Sequence, residues 1–283
     1  MAPEHSSEYD TAATDRCERV LVTLLGDIGP WGDRVVLVGG LAPRYIVGLD
    51  SLSTSPHVGT TDVDLVITLA VGDSSETYAT LYRNLKRSGF TVGDRSYQWQ
   101  RSVDGIKVEV EFICETDQTD PGAIYRPKQG TGSDFAAFNA PCAGFTSQDY
   151  VEVPVTAERF DGGGLSTVTL RVVGVLLFVV LKSLAFQQRH HNKDSYDLVY
   201  TLKNYEGGPR AAGEAAAQSP VRCEQSVVDA LESLRERFGS PDNDAPVAYA
   251  NFLADRDDHE HKARLRNEAV AVVRQFLAAA GRY

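Results

Sequence analysis

The chain holds little of what would place it at once in a specialised class. Four cysteines among 283 residues, Cys17, Cys114, Cys142 and Cys223, are too few for a disulfide scaffold and too scattered for paired CxxC zinc ligands, so a reducing compartment is expected. Basic side chains are in deficit: 28 Lys and Arg stand against 39 Asp and Glu, a formal net charge of −11. That excludes a generic polycation that coats nucleic acid through its phosphates. Long hydrophobic runs are missing as well. The longest, Val172 to Leu181, is interrupted by Gly174 and falls far short of the ~20 residues of a membrane-spanning helix. The opening MAPEHSSEYDTAATD has neither the basic start nor the apolar stretch of a secretory signal, and a cytoplasmic protein without membrane partners is expected. Gly162-Gly163-Gly164 lacks the GxxxxGK[ST] context of a phosphate-binding loop, which excludes a Walker-type ATPase.

What is present is an ordinary globular composition, 42% hydrophobic and 24% charged, in a chain close to the ~250–300 residues at which one core stops growing. Two domains are expected, in an α+β arrangement. Residues 1–15 read as a disordered polar tail. Val20, Leu21, Leu24, Leu25 and Ile28 fall at helical spacing over Cys17 to Ile28. Val35 to Val38 reads as a strand closed by Gly39-Gly40, with a short helix carrying Pro43 in its first turn. A polar loop, 50–61, leads into a strand from Asp62 to Ile67. A helix over Ser75 to Ser88, β-like pieces at Phe90 to Val92 and Tyr97 to Arg101, and a strongly alternating strand from Ile106 to Ile113 follow. Thr116 to Asp149 shows no periodicity and reads as a long loop. Val151–Val155 and Leu165–Val173 read as a hairpin. Helices are expected at Val175 to His190, from Lys193, at Gln225 to Phe238 and at Ala263 to Ala280, with Gly207 to Pro220 as a flexible connector.

The chemistry-bearing residues follow from strand alternation. Side chains two apart on a strand share a face, so Asp62 and Asp64 leave one face together, and a neighbouring strand can add Glu109 or Glu111. Converging carboxylates suit a hard divalent cation, Mg²⁺ with Mn²⁺ as a substitute, whose remaining ligands are water and substrate phosphates. A two-ion arrangement would activate an attacking hydroxyl and stabilise a leaving pyrophosphate. Gly39 and Gly40, at a strand-to-helix turn, let backbone N–H groups approach phosphate. Thr60 reads as a turn residue, and Thr61 is a candidate phosphate ligand. In the second half, Lys182 and Arg189 lie two turns apart on one helical face. Asp194 and Asp197 admit two roles, in the site or as caps of the following helix. Asp257-Asp258-His259-Glu260-His261 reads as a solvated helix start rather than a metal cluster.

VLVGGLAPRYIVG, then TTDVDLVI, then VEVEFI resembles the nucleotidyltransferase superfamily that includes DNA polymerase beta, with a Gly-Gly turn, a DxD strand and a third acidic strand. The third element departs from the usual aspartate. Glu111, followed by Phe112-Ile113, matches best, and Glu109 stays open. VLLFVVLKSLAFQQRHHNKDSYDLVYTL is similar to the helical motif of AbiEii-type nucleotidyltransferases, toxins of abortive-infection toxin–antitoxin systems, through Lys182, Arg189, Lys193, Asp194 and Asp197. The two motif groups together span about residues 35–203.

The resemblance implies a nucleotidyltransferase domain over 16–172, with a mixed sheet flanked by helices, and a helical domain over 173–283 that completes the active-site cleft. It implies transfer of a nucleoside monophosphate from an NTP co-substrate to an acceptor hydroxyl, with Asp62, Asp64 and Glu111 as metal ligands. Lys182 and Asp194 join the catalytic set, while Gly39, Gly40, Thr61, Lys182, Arg189 and Lys193 bind the nucleotide. The implied acceptor is the 3′ end of tRNA, and the implied protein partner is a cognate antitoxin. Arg83, Lys86, Arg87, Arg95, Arg101, Lys107, Arg126 and Lys128 would supply a basic rim for RNA. Two other readings stand beside this one: an aminoglycoside-type small-molecule nucleotidyltransferase, which suits an acidic surface, and a catalytically silent nucleotide-binding or interaction module.

Overall fold

The computed structural model of the chain describes residues 5–9, 11–47, 56–68, 75–127, 135–160 and 162–281. It is an α+β structure with a mixed sheet. It divides into a sheet unit, Thr11–Leu41 with Gly59–Val173, and a helical unit, Met1–Asp10, Ala42–Val58 and Gly174–Tyr283. A cut between residues 172 and 173 is expected from the sequence; the chain passes to the helical unit at Gly174, and Ala42–Val58 groups with the helices. Among the described residues no helix is long and apolar enough to cross a membrane.

In the sheet unit, α1 (Thr11–Asp27) precedes β1 (Val35–Val38), a 3₁₀ turn at Gly39–Leu41 and β2 (Asp62–Ile67). The short helix α2 (Pro43–Ile46) belongs to the other unit and has proline in its first turn. Then come α3 (Ser75–Arg87), β3 (Thr91–Val92), β4 (Gln98–Val103), β5 (Ile106–Cys114), β6 (Ile124–Tyr125), β7 (Ala137–Asn139), β8 (Tyr150–Glu158) and β9 (Leu165–Val173). The sheet order is β3-β4-β5-β2-β1-β9-β8, with β7 pairing β5 and β6. β2 and β5 are parallel, β1 and β2 antiparallel. Alternation sends Val63, Leu65, Trp99, Val110 and Phe112 to one face, where all five are fully buried. Tyr82 of α3 meets Trp99 edge-on there, at 5.3 Å between ring centroids. The opposite face is left to the polar positions of the same strands.

Three expectations change. The first helix begins at Thr11, six residues before Cys17, so part of the supposed tail is ordered. The stretch 116–149 is not one loop: β6, β7 and a 3₁₀ turn at Ala143–Ser147 lie within it. Buried Asn139 organises it by donating to the carbonyls of Thr116 and Thr119 at 2.9 and 2.8 Å. Residues 128–134 lie outside the described set, Lys128 among them. The connector 207–220 contains a helix, Gly208–Ala216, because its alanines and glycine allow close helix packing where turn residues suggested a linker.

The helical unit is built on α4 (Val175–Arg189) and α5 (Asn192–Asn204), with α6 (Gly208–Ala216), α7 (Gln225–Arg237), α8 (Asp244–Leu253) and α9 (His259–Ala279) around them. The first six residues of α4 are all buried, which marks a central helix rather than an amphipathic surface one. His190 ends α4 in the left-handed region at φ 53° and His191 caps the start of α5, so the chain turns sharply between the two helices. Gly213 is the closest approach: a Cβ there would sit 2.3 Å from the Phe276 carbonyl oxygen of α9. Asp258 caps α9 by accepting from the His261 N–H at 2.9 Å, so the acidic-histidine segment is a helix start.

Candidate functional site

The polar face of the sheet is assembled by register. Asp62 lies opposite Glu109 and Asp64 opposite Glu111 on parallel β2 and β5. On the far side of β5, Gln100 lies opposite Glu109 and Gln98 opposite Glu111. Residues paired across strands share a face, so the sheet presents two rows, Asp62-Glu109-Gln100 and Asp64-Glu111-Gln98. All four carboxylates are half-buried.

Two contacts fix the aspartates. Gly39, immediately after β1, sits in the left-handed region at φ 68°, and a Cβ there would fall 1.8 Å from Asp64 Oδ2. The glycine is required twice over, by its backbone and by the carboxylate lying against it. Gly40 is buried in the same 3₁₀ turn. Thr60 is not just a turn residue: its buried hydroxyl donates to Asp62 Oδ1 at 2.5 Å, and its N–H donates to Thr14 Oγ1 at 3.2 Å. Thr61 is exposed at a bend. Buried Cys17 lies behind this pair, and burial, then the Asp62 and Asp64 carboxylates, push its thiol well above the ordinary cysteine range. It is therefore an inert thiol.

The donor set fits a hard divalent cation, offering carboxylate oxygens beside a glycine turn against which the Asp64 carboxylate is packed. Gln100 Oε1 is buried without a hydrogen-bond partner among the described residues, an acceptor available to a metal-bound water. Among the described residues no ready-made cage of three or more His, Cys, Asp and Glu side chains is present. Mg²⁺ needs none, since it binds through one or two carboxylates and takes its other ligands from water and phosphate.

The helical-unit residues form a separate and tightly closed network. Lys182, 6% exposed, donates to Asp197 Oδ2 at 2.6 Å and to Asp194 Oδ1 at 3.3 Å. Arg189 grips Asp194 with two hydrogen bonds of 2.7 Å, and Lys193 reaches both oxygens of Asp197 at 2.9 and 3.0 Å. His57 Nε2 donates to Asp197 Oδ1 at 2.8 Å, and its ring packs against Tyr196 and Tyr200. Burial alone would lower the Lys182 pKa, but Asp197 and Asp194 outweigh it and hold the ammonium above the ordinary lysine value. Burial would raise both carboxylates, yet their cations hold them below the usual range. For His57 burial prevails over Asp197 and the pKa is lowered, so the imidazole is neutral. The capping role for Asp194 and Asp197 is overturned: His191 is the N-cap of α5, it makes no side-chain cap bond, and both aspartates are buried partners of Lys182.

Arg189, with its side chain 52% exposed, opens this network to solvent. Three cations against two carboxylates, with neutral His57, leave one net positive charge. The residues of the expected basic rim divide between the two faces of the sheet. Arg101 pairs with Val108 on the opposite face of the sheet and lies over Phe160, while Lys86 lies over Trp99 and Tyr82. Lys107 is on the polar face and pairs with Glu109 at 3.0 Å.

His57 and Gln98 belong to these clusters and are not singled out by the sequence, while Thr60 was read only as a turn residue. The alternation Gln98-Trp99-Gln100 is the one available signal, the same period-two pattern as Asp62-Val63-Asp64; His57 stands in a polar loop that carries none. Compared with known proteins, the chain matches no family model, no curated protein and no solved structure.

Proposed function

We propose that the sheet unit is a polymerase-beta-like nucleotidyltransferase domain and that the chain is a metal-dependent enzyme of the AbiEii type. It moves a nucleoside monophosphate from an NTP to an acceptor hydroxyl and releases pyrophosphate. The observation that carries this reading is the contact of Gly39 with Asp64, which joins the glycine turn to in-register carboxylates on β2 and β5. Asp62, Asp64 and Glu111 would hold Mg²⁺, which when bound supplies charge neutralisation for the phosphates and a more acidic acceptor hydroxyl. Asp62, fixed by Thr60, is oriented to take that hydroxyl's proton. Gly39 and Gly40 cradle phosphate through backbone N–H groups. The family resemblance assigns Lys182, Arg189 and Lys193 to the triphosphate and Asp194 to the catalytic set. Of these, Arg189 is the exposed group suited to phosphate contact; buried Lys182 and Asp194 hold it in place.

The resemblance also supports the 3′ end of tRNA as acceptor and a cognate antitoxin as partner. The net charge of −11 favours a second reading, a small cationic acceptor such as an aminoglycoside. One assay separates them: purified protein with Mg²⁺ and each α-labelled NTP in turn, given total tRNA or an aminoglycoside panel. Label on tRNA, absent in Asp64→Asn, is expected. Label on the antibiotic would transfer the assignment to small-molecule modification, and no label on either would favour the silent binding module.

A further inference from the structure

Glu109 and Glu111, neighbours on one face of β5, are held by different partners. Glu109 is neutralised by Lys107 on its own strand. Glu111 Oε1 accepts from Gln98 Nε2 at 2.7 Å, so an amide from the neighbouring strand orients it. Gln98 is itself fixed. It is 9% exposed, its Oε1 accepts from the Arg95 N–H at 3.0 Å, and its own N–H donates to the Arg95 carbonyl at 2.9 Å. The side chain cannot flip without placing its NH₂ against the Arg95 N–H, so the donor must face Glu111.

We infer that Gln98 is the positioning residue that sets Glu111 for the cation, a role created by glutamate at the third position. Glutamate has one more rotatable bond than aspartate, and a carboxylate free to rotate loses ordering entropy when it binds metal. The amide removes that freedom beforehand. The same logic governs outer-shell partners of metal ligands, whose loss costs about 10- to 100-fold in metal affinity.

This inference rests on the polar face being a cation site, and its test separates the two. Mn²⁺ binding to the full chain is measured by the electron paramagnetic resonance of free Mn²⁺, for the wild type, Gln98→Leu, Glu111→Gln and the double variant. The expected result is saturable binding by the wild type, a loss of about 10-fold or more in Gln98→Leu, and a double variant no weaker than Glu111→Gln alone. A purely structural glutamine would lower the unfolding midpoint and leave Mn²⁺ affinity unchanged, or would weaken both backgrounds equally; either result overturns the inference. If Gln98→Leu loses its folded circular dichroism, Gln98→Met, which keeps the length of the side chain, takes its place. Absence of saturable Mn²⁺ binding in the wild type overturns the cation reading itself, and the inference with it.

Discussion

Replacing Lys182 by methionine keeps most of the side-chain volume and deletes one charge from the centre of the helical unit. Breaking a buried ion pair by removing one partner costs about 3–5 kcal/mol, because the other charge stays buried and uncompensated. Here the surviving charges are not abandoned. Asp194 keeps both Arg189 bonds at 2.7 Å, and Asp197 keeps Lys193 and His57. The cost therefore falls at the lower end, about 3 kcal/mol, or a drop on the order of 10 °C in midpoint. Lys193→Met should cost less, since Asp197 then retains the shorter Lys182 bond of 2.6 Å. Thermal unfolding followed by far-UV circular dichroism, which weights the helical unit, measures both. Lys182→Met with a wild-type midpoint, or Lys193→Met as the more damaging of the two, would refute the assignment of Lys182 as the keystone cation. Adding Asp197→Asn to Lys182→Met should restore part of the loss by removing the uncompensated charge.

Gly39→Ala forces a left-handed alanine at about 1–2 kcal/mol and displaces the Asp64 carboxylate. It should abolish label transfer and weaken Mn²⁺ binding while the chain stays folded by circular dichroism; unchanged Mn²⁺ affinity would detach Gly39 from the site. His57 has a folded-state pKa below its unfolded value, so its contribution is fully present above about pH 6.5 and is lost as the pH falls through the lowered value. Buried Asp197, also lowered, acts in the same direction at more acidic pH. Lys182, raised, acts oppositely, with stability present below its ordinary value of about 10.5 and lost only above it. The unfolding midpoint should thus fall from about pH 6.5 downward, and His57→Gln should flatten the first part of that slope; an identical slope in the variant would remove His57 as its source. Gly213→Ala should destabilise despite alanine's advantage of about 1 kcal/mol in helices, because its Cβ would lie 2.3 Å from the Phe276 carbonyl oxygen. A raised unfolding midpoint would show that α6 and α9 can separate freely.

Strand chemistry was the most legible part of the molecule, for a physical reason. Alternation at period two fixes the face of every side chain once a strand forms, so Asp62 and Asp64 on one face followed from spacing alone, and β2 realises it. Which strand stands beside β2 does not follow from spacing. The parallel pairing with β5, forty-odd residues later, decides that Glu111 rather than Glu109 lies opposite Asp64. Helices read well where the apolar period was strong, as in α7, or the apolar run was long, as in α4. They were misplaced where small residues carry the packing: the alanines of α6 look like a linker until Gly213 is seen against α9, and α8 was missed in a stretch dominated by its turn residues.

The helical-unit motif shows a different limit. Lys182 and Arg189 were visible at helical spacing, and Lys193 and Asp194 through the family resemblance, but neither says whether such charges face a ligand or one another. In this chain they face one another: every carboxylate oxygen of Asp194 and Asp197 takes at least one donor within the unit. His57, which no pattern announced, supplies the donor that a fourth cation would otherwise have to provide, and as a neutral imidazole it does so without adding charge. That is the economy that leaves the single surplus charge on the side of Arg189, the one member of the network with half its side chain in solvent. An anion arriving there meets a guanidinium already held flat by Asp194 through two bonds. Replacing Asp194 by asparagine should therefore loosen Arg189 and raise the KM for NTP in the labelling assay while leaving Mn²⁺ affinity at the polar face of the sheet unchanged. A loss of Mn²⁺ affinity in Asp194→Asn with an unaltered KM would reverse the division of labour between the two clusters.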